Sequence, residues 1–378
     1  MSYNDPTELE LLGSPSLMSL QAYISNPERN TQDLRLPAFW RLVRSSPNLQ
    51  SLMLDISRGG CVVKWDSPQQ IQEWKRLASH FERTTVSRGN LPSSIRNLKI
   101  NGGDLSEFKD NELSQLRHLD CSKYLPLQIL PSLSSLAHLT LRGHYFNNET
   151  IDQLLLDCIS LASLNVIGWR NCLKLDTIFT RHGSSLRALA LHEFENADAA
   201  NPRQVLSIEE LHHVQDCCPH LKELSIDLNF PENPLPQTER LGTVIHQEIY
   251  DTLSTFTSLR RLQLNINWGI STYNKQRFDR PRKLLPLANE AFVKEVWTAI
   301  NHGRPGSLRI QELRVSQGES QRSTGHGYPA GWVTWEQSSH HWLKATQSER
   351  DDEPDEISIS SYRDIPDFSE DLWRECRW

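Results

Sequence analysis

The chain has 378 residues, of which 37% are hydrophobic and 23% are charged, with a formal net charge of -7 and a mean hydropathy of -0.54. No apolar run approaches the ~20 residues that a membrane-spanning helix requires, so the sequence excludes a protein that crosses a bilayer. No secretory signal is recognised at the start of the chain, so a cytoplasmic or nuclear location is expected.

One pattern recurs along most of the chain: an aliphatic residue, two variable residues, a second aliphatic, one variable residue and a third aliphatic. A degenerate copy begins at Leu17. The clearer copies begin at Leu49, Ile95, Leu116, Leu136, Leu161, Leu186, Leu221, Leu259 and Ile310. Because residues two apart on a strand share a face, the second and third aliphatics of each copy point together into a core. The pattern is that of the strand in a leucine-rich repeat.

Helical patterns lie between several copies, at 151–158, 208–218, 244–256 and 291–300. Ser207 and Glu210 predict a capping box, and Ser67, Pro68 and Gln70 are typical of a helix start. The intervals between copies run from 20 to 51 residues, whereas regular repeats of this kind take roughly 20 to 29. The sequence therefore predicts an α/β fold, an irregular leucine-rich-repeat solenoid or horseshoe with parallel inner strands and outer helices.

Proline and serine recur just before the strands. Pro47 and Pro219 each lie two residues ahead of the first aliphatic of a copy, and a serine or cysteine precedes each proline. Chance clustering of apolar residues would not preserve these flanking residues. They predict a turn that ends the preceding segment and leads into the strand.

The seven cysteines are expected to be reduced thiols, since their number is odd and no signal segment is recognised. Cys158 and Cys218 each lie three residues before the first leucine of a copy, and Cys121 occupies a third-aliphatic position. Zinc-binding residue types cluster at His212, His213, Cys217, Cys218 and His220. The ordered C-x-x-C pairs of structural zinc sites are missing, so we favour a helix end and predict no metal and no other cofactor.

Sequence motifs for catalysis are not found. The chain has no G-x-S-x-G, no H-E-x-x-H, no phosphate-binding loop ending in Gly-Lys-Ser/Thr and no G-x-G-x-x-G after a strand. The glycine-rich segment 325–328 lacks the lysine and the helix of a phosphate site, so it is interpreted as a turn. We therefore do not predict an enzyme.

The side chains that alternate with the core aliphatics form the inner surface of the predicted solenoid. Most of them are polar, which solvent exposure alone explains, but His118, Asp120, His138 and Arg142 lie on neighbouring short copies and form the best candidate patch. We expect the concave face to bind a polar or charged segment of a protein partner. The candidate partner-binding residues are Asn97, Lys99, His118, Asp120, His138, Thr140, Arg142, Asn165, His192, Glu223 and Arg261.

The charge is concentrated at the C-terminal end, where residues 349–378 hold eleven acidic residues and four arginines. Such a tail disfavours a general nucleic-acid role. Five basic residues at 275–283 could form a nuclear-import or nucleic-acid patch, but a solvated loop is favoured, and contact with the acidic tail is a further alternative. Five of the eleven tryptophans follow residue 331. We predict a solenoid at 1–318, an aromatic capping segment at 319–348 and an acidic tail at 349–378.

The chain resembles the leucine-rich-repeat region of fungal F-box proteins. The likeness depends on Pro-x-Leu-x-x-Leu-x-Leu copies such as the one that includes 217–224, on Gly-Tyr-Pro-Ala-Gly-Trp-Val-x-Trp-Glu-Gln at 327–337, and on Ser-Glu-Arg-Asp-Asp-x-Pro-Asp-Glu at 348–356. The resemblance implies a substrate-recruiting subunit of an SCF-type ubiquitin ligase, with ligase subunits as possible partners and the horseshoe holding the target protein.

Proteins of that family begin with a helical F-box that docks a Skp-type adaptor. No such segment is recognised ahead of Leu17, so we expect adaptor binding to be weak or absent. The alternative function is a repeat scaffold that regulates another enzyme, such as a GTPase, through a loop arginine near an inner-face asparagine. The candidate asparagines Asn97, Asn101 and Asn165 are too scattered to support that alternative.

Overall fold

The structure is a computed structural model, and it describes residues 11–26, 35–58, 92–101, 113–122, 127–142, 148–193, 203–229, 246–267, 290–317, 339–346 and 356–361. The chain forms two compact units, Met1–Leu161 and Ala162–Trp378. Among the helices in these described ranges, none combines the length and the apolar character needed to cross a bilayer.

The first unit contains five parallel strands, each paired with the next in chain order. They are β1 (Ser19–Asn26), β2 (Ser51–Arg58), β3 (Asn97–Asn101), β4 (His118–Cys121) and β5 (His138–Arg142). Within the described ranges its helical elements are α1 (Arg35–Ser45), a 3₁₀ helix (Leu127–Leu133) and α2 (Asn148–Asp157). Val43 of α1 and Leu154 of α2 are fully buried, whereas Leu156 of α2 is 49% exposed.

The second unit contains five more parallel strands in chain order, followed by two antiparallel ones. They are β6 (Ser163–Ile167), β7 (Ala188–His192), β8 (Glu223–Asn229), β9 (Arg261–Asn267), β10 (Glu312–Gln317), β11 (Ser339–Thr346) and β12 (Glu356–Ser361). Its helices are α3 (Leu175–His182), α4 (Ile208–Cys217), α5 (Gln247–Ser254) and α6 (Glu290–Asn301).

Every parallel strand begins two residues after the first aliphatic of a copy, including the degenerate copy at Leu17. The register places equivalent leucines side by side, so that Leu224 lies opposite Leu189 on one strand and Leu262 on the other. These side chains are at most 1% exposed, and burial of each contributes roughly 1.5–3 kcal/mol. The predicted α/β leucine-rich-repeat fold is confirmed.

The proline and serine residues before the strands form the predicted turns and also link neighbouring copies. The N–H of Leu221 donates to the Cys218 carbonyl at 3.1 Å, which closes the turn. The Pro219 carbonyl accepts from the hydroxyl of Ser258, which precedes the next strand, at 2.7 Å. Ser94 makes the equivalent bond to the Pro47 carbonyl at 3.0 Å. The carbonyl of the proline before one strand therefore accepts a hydrogen bond from a serine before the next strand, and this contact repeats along the stack.

A second repeated contact sets the register at the entrance to each strand. The N–H groups of Lys222 and Glu223 both donate to the Arg187 carbonyl, at 2.8 and 3.0 Å. One copy later, the N–H groups of Arg260 and Arg261 share the Lys222 carbonyl in the same way. A slip of one residue would turn the buried aliphatics to the opposite face of the sheet, so these paired bonds and the core specify the same alignment.

The predicted helices correspond to α2, α4, α5 and α6 with ends shifted by a few residues. The capping box is confirmed, because Ser207 Oγ accepts from the Glu210 N–H at 3.1 Å and the Glu210 carboxylate accepts from the Ser207 N–H at 2.8 Å. The residues Ser67, Pro68 and Gln70 lie outside the described ranges.

Two α-helices and two strands of the described ranges had no counterpart in the predicted pattern: α1, α3, β11 and β12. The two antiparallel strands lack the aliphatic triplet, which is why the repeat pattern does not reveal them. Strand β11 falls in the segment predicted as a cap and β12 in the segment predicted as an acidic tail, and this domain division stays a prediction. The basic segment 275–283 and the motif 327–337 lie outside the described ranges.

Gly183, at the end of α3, packs closely against the backbone at the end of α4. It has right-handed helical angles at the end of α3, and a Cβ built there would lie well inside the van der Waals radii of the Cys217 and Phe179 carbonyl oxygens. Gly183→Ala is therefore expected to lower the free energy of unfolding by about 1–3 kcal/mol, because backbone atoms would have to shift. Urea denaturation of the full chain measures this change.

Ser184→Ala, at the exposed neighbouring position, serves as the control and is expected to change stability by less than about 0.5 kcal/mol. A Gly183→Ala variant as stable as the parent protein would show that the two helices are not held at this distance.

Candidate functional site

The strand face of the first unit carries side chains in rows that cross the strands. Register places Lys99 of β3, Asp120 of β4 and Thr140 of β5 side by side. Another row contains Asn97 followed by the two histidines, His118 and His138. Strand pairing therefore brings together all the residues predicted for this unit, including Arg142 at the end of β5.

Asp120 is the centre of this surface. Its carboxylate accepts two hydrogen bonds from Arg142, from Nε at 3.0 Å and from Nη2 at 3.1 Å. Lys99 Nζ lies 3.6 Å away on the opposite side. We name Lys99, Asp120 and Arg142 the Asp120 cluster.

Exposure differs sharply within the Asp120 cluster. The side chain of Asp120 is 3% exposed, whereas those of Lys99 and Arg142 are 18% and 23% exposed. Two cations held at one buried anion give the cluster a net positive charge. The bidentate pair fixes the guanidinium plane, so the exposed part of Arg142 is held in a defined orientation.

His118 and His138 stack next to this cluster. Their ring centroids are 4.1 Å apart and their planes differ by 9°. Burial, then the charges of His138 and Arg117, lowers the pKa of His118 to about 3. Burial also lowers the pKa of His138. Both rings are therefore neutral at pH 7, and the stack is a flat polar surface without charge.

In the second unit, Asp227 of β8 is also the centre of a polar group, one row further along the strands than the position equivalent to Asp120. Its carboxylate accepts from His192 Nδ1 at 2.7 Å, from the Glu193 N–H at 2.5 Å and from Asn265 Nδ2 at 3.2 Å. Arg203 Nη1 lies 3.7 Å away, and the side chains of both Arg203 and Asp227 are 1% exposed. The side chain of His192 is 23% exposed and connects this group to solvent.

Paired charges also lie on other rows of the second unit, and Arg314 belongs to the row of Gln263. Arg261 of β9 forms a salt bridge with Glu223 of β8, and Arg314 donates to Glu312 Oε1 at 2.8 Å within β10. Of the residues predicted for this unit, the structure thus joins Glu223 to Arg261, whereas His192 and Asn165 lie in two other rows. The eleven predicted residues all lie on strand faces, seven in the first unit and four in the second. Their role in partner binding stays a prediction.

Sequence reasoning missed Arg203 as a determinant of this surface. Arg203 lies in the connection between β7 and α4 and donates to the carbonyls of Leu228 at 3.2 Å and Asn265 at 2.7 Å. No repeat position identifies it, since it lies outside the aliphatic pattern. The only available signal was an arginine directly after a proline near a helix start.

The histidine and cysteine cluster was predicted to mark the end of a helix. Cys218 agrees with that prediction, since it is buried at the end of α4. His213 lies between Asp176 Oδ1, 3.3 Å from its Nε2, and Cys217 Sγ, 3.7 Å from its Nδ1. Burial, with Asp216 and Asp176, raises the pKa of the Cys217 thiol. A thiol that stays protonated is a poor nucleophile. Within the described ranges no group of three or more metal-binding side chains is placed to hold an ion.

Comparison with known proteins adds little to this geometry. No family model and no curated protein matches the sequence. Among solved structures, the chain is similar to the leucine-rich repeat-containing protein LegL7 from Legionella pneumophila, with 15% identity over 78% of this chain and 83% of that one and a TM-score of 0.36. At that TM-score the fold assignment depends on the strand pairing of this chain itself.

Removal of the central carboxylate tests the Asp120 cluster. Asp120→Asn is expected to lower the free energy of unfolding by about 1–3 kcal/mol, because Arg142 loses its opposite charge and one of its two acceptor oxygens while remaining largely buried. Lys99→Gln breaks only the longer, more exposed contact and is expected to cost at most about 0.5 kcal/mol. Chemical denaturation of both variants measures the difference, and equal stabilities would contradict the assigned central role of Asp120.

The histidine stack predicts a pH dependence. Below pH ~6.5 the unfolded chain protonates these histidines while the folded chain does not, since the folded pKa values are lowered. Stability is therefore full above pH ~6.5 and declines as the pH falls toward 3. His118→Gln removes part of this decline, by about 1 kcal/mol at pH 5 after allowance for the partial exposure of the ring.

Thermal denaturation between pH 8 and 4.5 measures the effect, with His302→Gln at an exposed position of the second unit as the control. If His118→Gln and the parent protein lost stability in parallel over this range, the stack would not be the source of the pH dependence.

Proposed function

We propose that this protein is a non-catalytic interaction module whose strand face binds a polar or charged segment of a protein partner. The observation that carries the proposal is the Asp120 cluster, in which Lys99 and Arg142 are fixed at a buried carboxylate but keep exposed surface. Donors that are ordered before binding lose little conformational entropy when a partner docks. A net positive, preordered cluster is suited to an acidic or carbonyl-rich partner segment.

The form of the surface supports a protein as the ligand. Neighbouring strands lie ~4.8 Å apart, so five parallel strands present a polar face about 20 Å wide in either unit. The paired charges on that face, such as Glu223 with Arg261, resemble the polar and partly hydrated composition of non-obligate protein interfaces. A groove also lies on the helix side between α5 and α6, but Asp251 in it is already bonded to Gln247 at 2.7 Å.

The specific form of this proposal is a substrate-recruiting subunit of a ubiquitin ligase. Its support is the resemblance to fungal F-box repeat proteins, and two of the three segments that carry the resemblance, 327–337 and most of 348–356, lie outside the described ranges. In that role the strand face would hold the target protein. The competing role is regulation of another enzyme, such as a GTPase. The identity of the bound partner distinguishes the two roles.

A charge swap tests the proposal without removing the internal ion pair. The double variant Asp120→Arg with Arg142→Asp preserves attraction between the two positions but inverts the surface they present. A photo-crosslinking amino acid at Asn97 of the full chain, expressed in its native cell, is expected to capture a protein whose yield falls at least tenfold in the swap variant. Lys294→Glu, on the exposed helix side, is the control and is expected to leave the yield unchanged.

Unchanged capture in the swap variant would contradict the proposed binding face. The captured protein and its companions are then identified by mass spectrometry. Ligase subunits together with a ubiquitinated target would support the ligase role, whereas a GTPase or another enzyme would replace it with the regulatory one. Weak or absent recovery of a Skp-type adaptor is expected, and strong recovery would overturn that expectation.

A further inference from the structure

Strand β1 is the first strand of the sheet, and within the described ranges it pairs with β2 alone. At β2–β5 and β7–β10 the paired entrance bonds recur, with two consecutive N–H groups donating to one carbonyl of the preceding copy. The equivalent donors at β1 are the N–H groups of Met18 and Ser19. No carbonyl in the described part of the chain accepts from either of them. Over the described residues, the contact that joins successive copies is therefore incomplete at β1.

The backbone of β1 has an outward edge beyond these two donors. Ser19 pairs with Ser51, and the Ser51 N–H donates to the Met18 carbonyl at 3.1 Å. In a parallel ladder, consecutive residues direct their backbone groups alternately to the neighbour on one side and to the neighbour on the other. Leu20 therefore bonds to β2, whereas the N–H and carbonyl groups of Ser19 and Gln21 point away from it.

The side chains of the first copy are more exposed than their counterparts in later copies. The first aliphatic residue of each later copy is at most 1% exposed, whereas Leu17 is partly exposed. Leu20 is 7% exposed and the equivalent Leu52 is fully buried. Met18 and Tyr23 are 46% and 54% exposed. The apolar surface at β1 thus has the greater exposure expected of a copy that lacks a preceding neighbour.

Strand β1 also lacks the features that usually protect an edge strand from pairing. Natural edge strands carry charged residues or proline, are very short, or contain a bulge. Strand β1 has eight residues, and none of them is charged or a proline. Its register with β2 is continuous over all eight pairs, so it contains no bulge. This edge therefore has the character of a pairing surface.

We infer that β1 binds an extended segment of a protein partner as one additional parallel strand, by β-strand addition. The orientation follows from the entrance contact, which requires the carbonyl of a preceding parallel strand. A second copy of this chain does not fit, because two β1 strands related by a two-fold axis would run antiparallel. The surface is separate from the Asp120 cluster on β3–β5, so the inference goes beyond the proposed function.

The register specifies the chemistry of the added segment. The residues that lie beside Leu20 and Ala22 face the core and must be aliphatic. The residue two positions before the first of these aliphatics supplies the carbonyl that accepts from Met18 and Ser19. The partner segment is therefore an extended stretch with aliphatic residues at alternate positions, and its other side chains face away from the core.

The test uses the full-length protein and a synthetic peptide that copies Pro219–Asn229, which contains this pattern as Lys222, Leu224 and Ile226. Saturable binding is expected by fluorescence anisotropy. N-methylation of the peptide at Leu224 is expected to reduce the affinity about tenfold or more, because that N–H would face β1. N-methylation at Ser225, whose N–H would face away, is the matched control and is expected to leave the affinity unchanged.

A variant of the protein tests the same edge from the other side. Gln21→Pro removes an outward N–H while keeping the bonds to β2, and it is expected to reduce the affinity for the peptide about tenfold or more. Gln21→Ala keeps the N–H and is expected to bind like the parent protein. The N-methylated peptides are measured on the parent protein, so their result does not depend on how well Gln21→Pro folds.

Hydrogen exchange and sedimentation show whether the edge is open before the peptide is added. In the parent protein alone, the N–H groups of Ser19 and Gln21 are expected to exchange quickly, and the peptide is expected to slow both. Slow exchange without peptide would overturn the inference, because the edge would already be covered. A dimer that Gln21→Pro dissociates would also overturn it, since a second copy would then be the occupant.

Absence of peptide binding, or equal affinity of the peptides methylated at Leu224 and Ser225, would contradict strand addition at β1. The swap of Asp120 and Arg142 is expected to leave peptide binding unchanged, and loss of binding in that variant would place the peptide on the strand face instead. These failures are separable from failure of the proposed function. If the peptide does not bind but the swap still abolishes partner capture, the strand face binds protein without the β1 edge.

Discussion

The stacking of parallel strands in a fixed register is the constraint on which the rest of the structure depends. A single strand such as β8 buries only Leu224, Ile226 and Leu228 from its core-facing side, far too little to offset the entropy of ordering it. The neighbouring strands supply the remaining contacts. The shared carbonyls at the strand entrances, such as that of Lys222, then give each added copy the same alignment as the one before.

The same register determines the chemistry of the opposite face. Once the leucines are aligned, the alternating polar residues must also lie in rows about 4.8 Å apart. At that spacing like charges would repel, and the rows show opposite charges instead, with Asp120 between Lys99 and Arg142. Neutral histidines stack where two imidazoles are adjacent. The polar face is therefore organised by the core beneath it, and its ion pairs are ordered before any partner arrives.

Sequence periodicity was sufficient to predict the ten parallel strands, their buried positions and the patch around Asp120, because all of these follow from a spacing of two residues on a strand. Elements outside the pattern were not predictable. Helices α1 and α3 lie in irregular connections, and β11 and β12 pair antiparallel without the triplet. Arg203 reaches Asp227 from a connection rather than a repeat position. Asn165 was predicted as a binding residue, but its near-complete burial, at 7% exposed, is visible only in the packed structure.

Amide hydrogen exchange of the full-length protein tests the stacking register most directly. The structure predicts strong protection for both members of each entrance pair, Lys222 with Glu223 and Arg260 with Arg261, because both N–H groups in a pair bond to one carbonyl of the neighbouring copy. Exchange from these four amides should require opening of the strands and be as slow as that of Leu224 in the core. Exchange at the rate of an unstructured peptide, with Leu224 still protected, would contradict the aligned stacking.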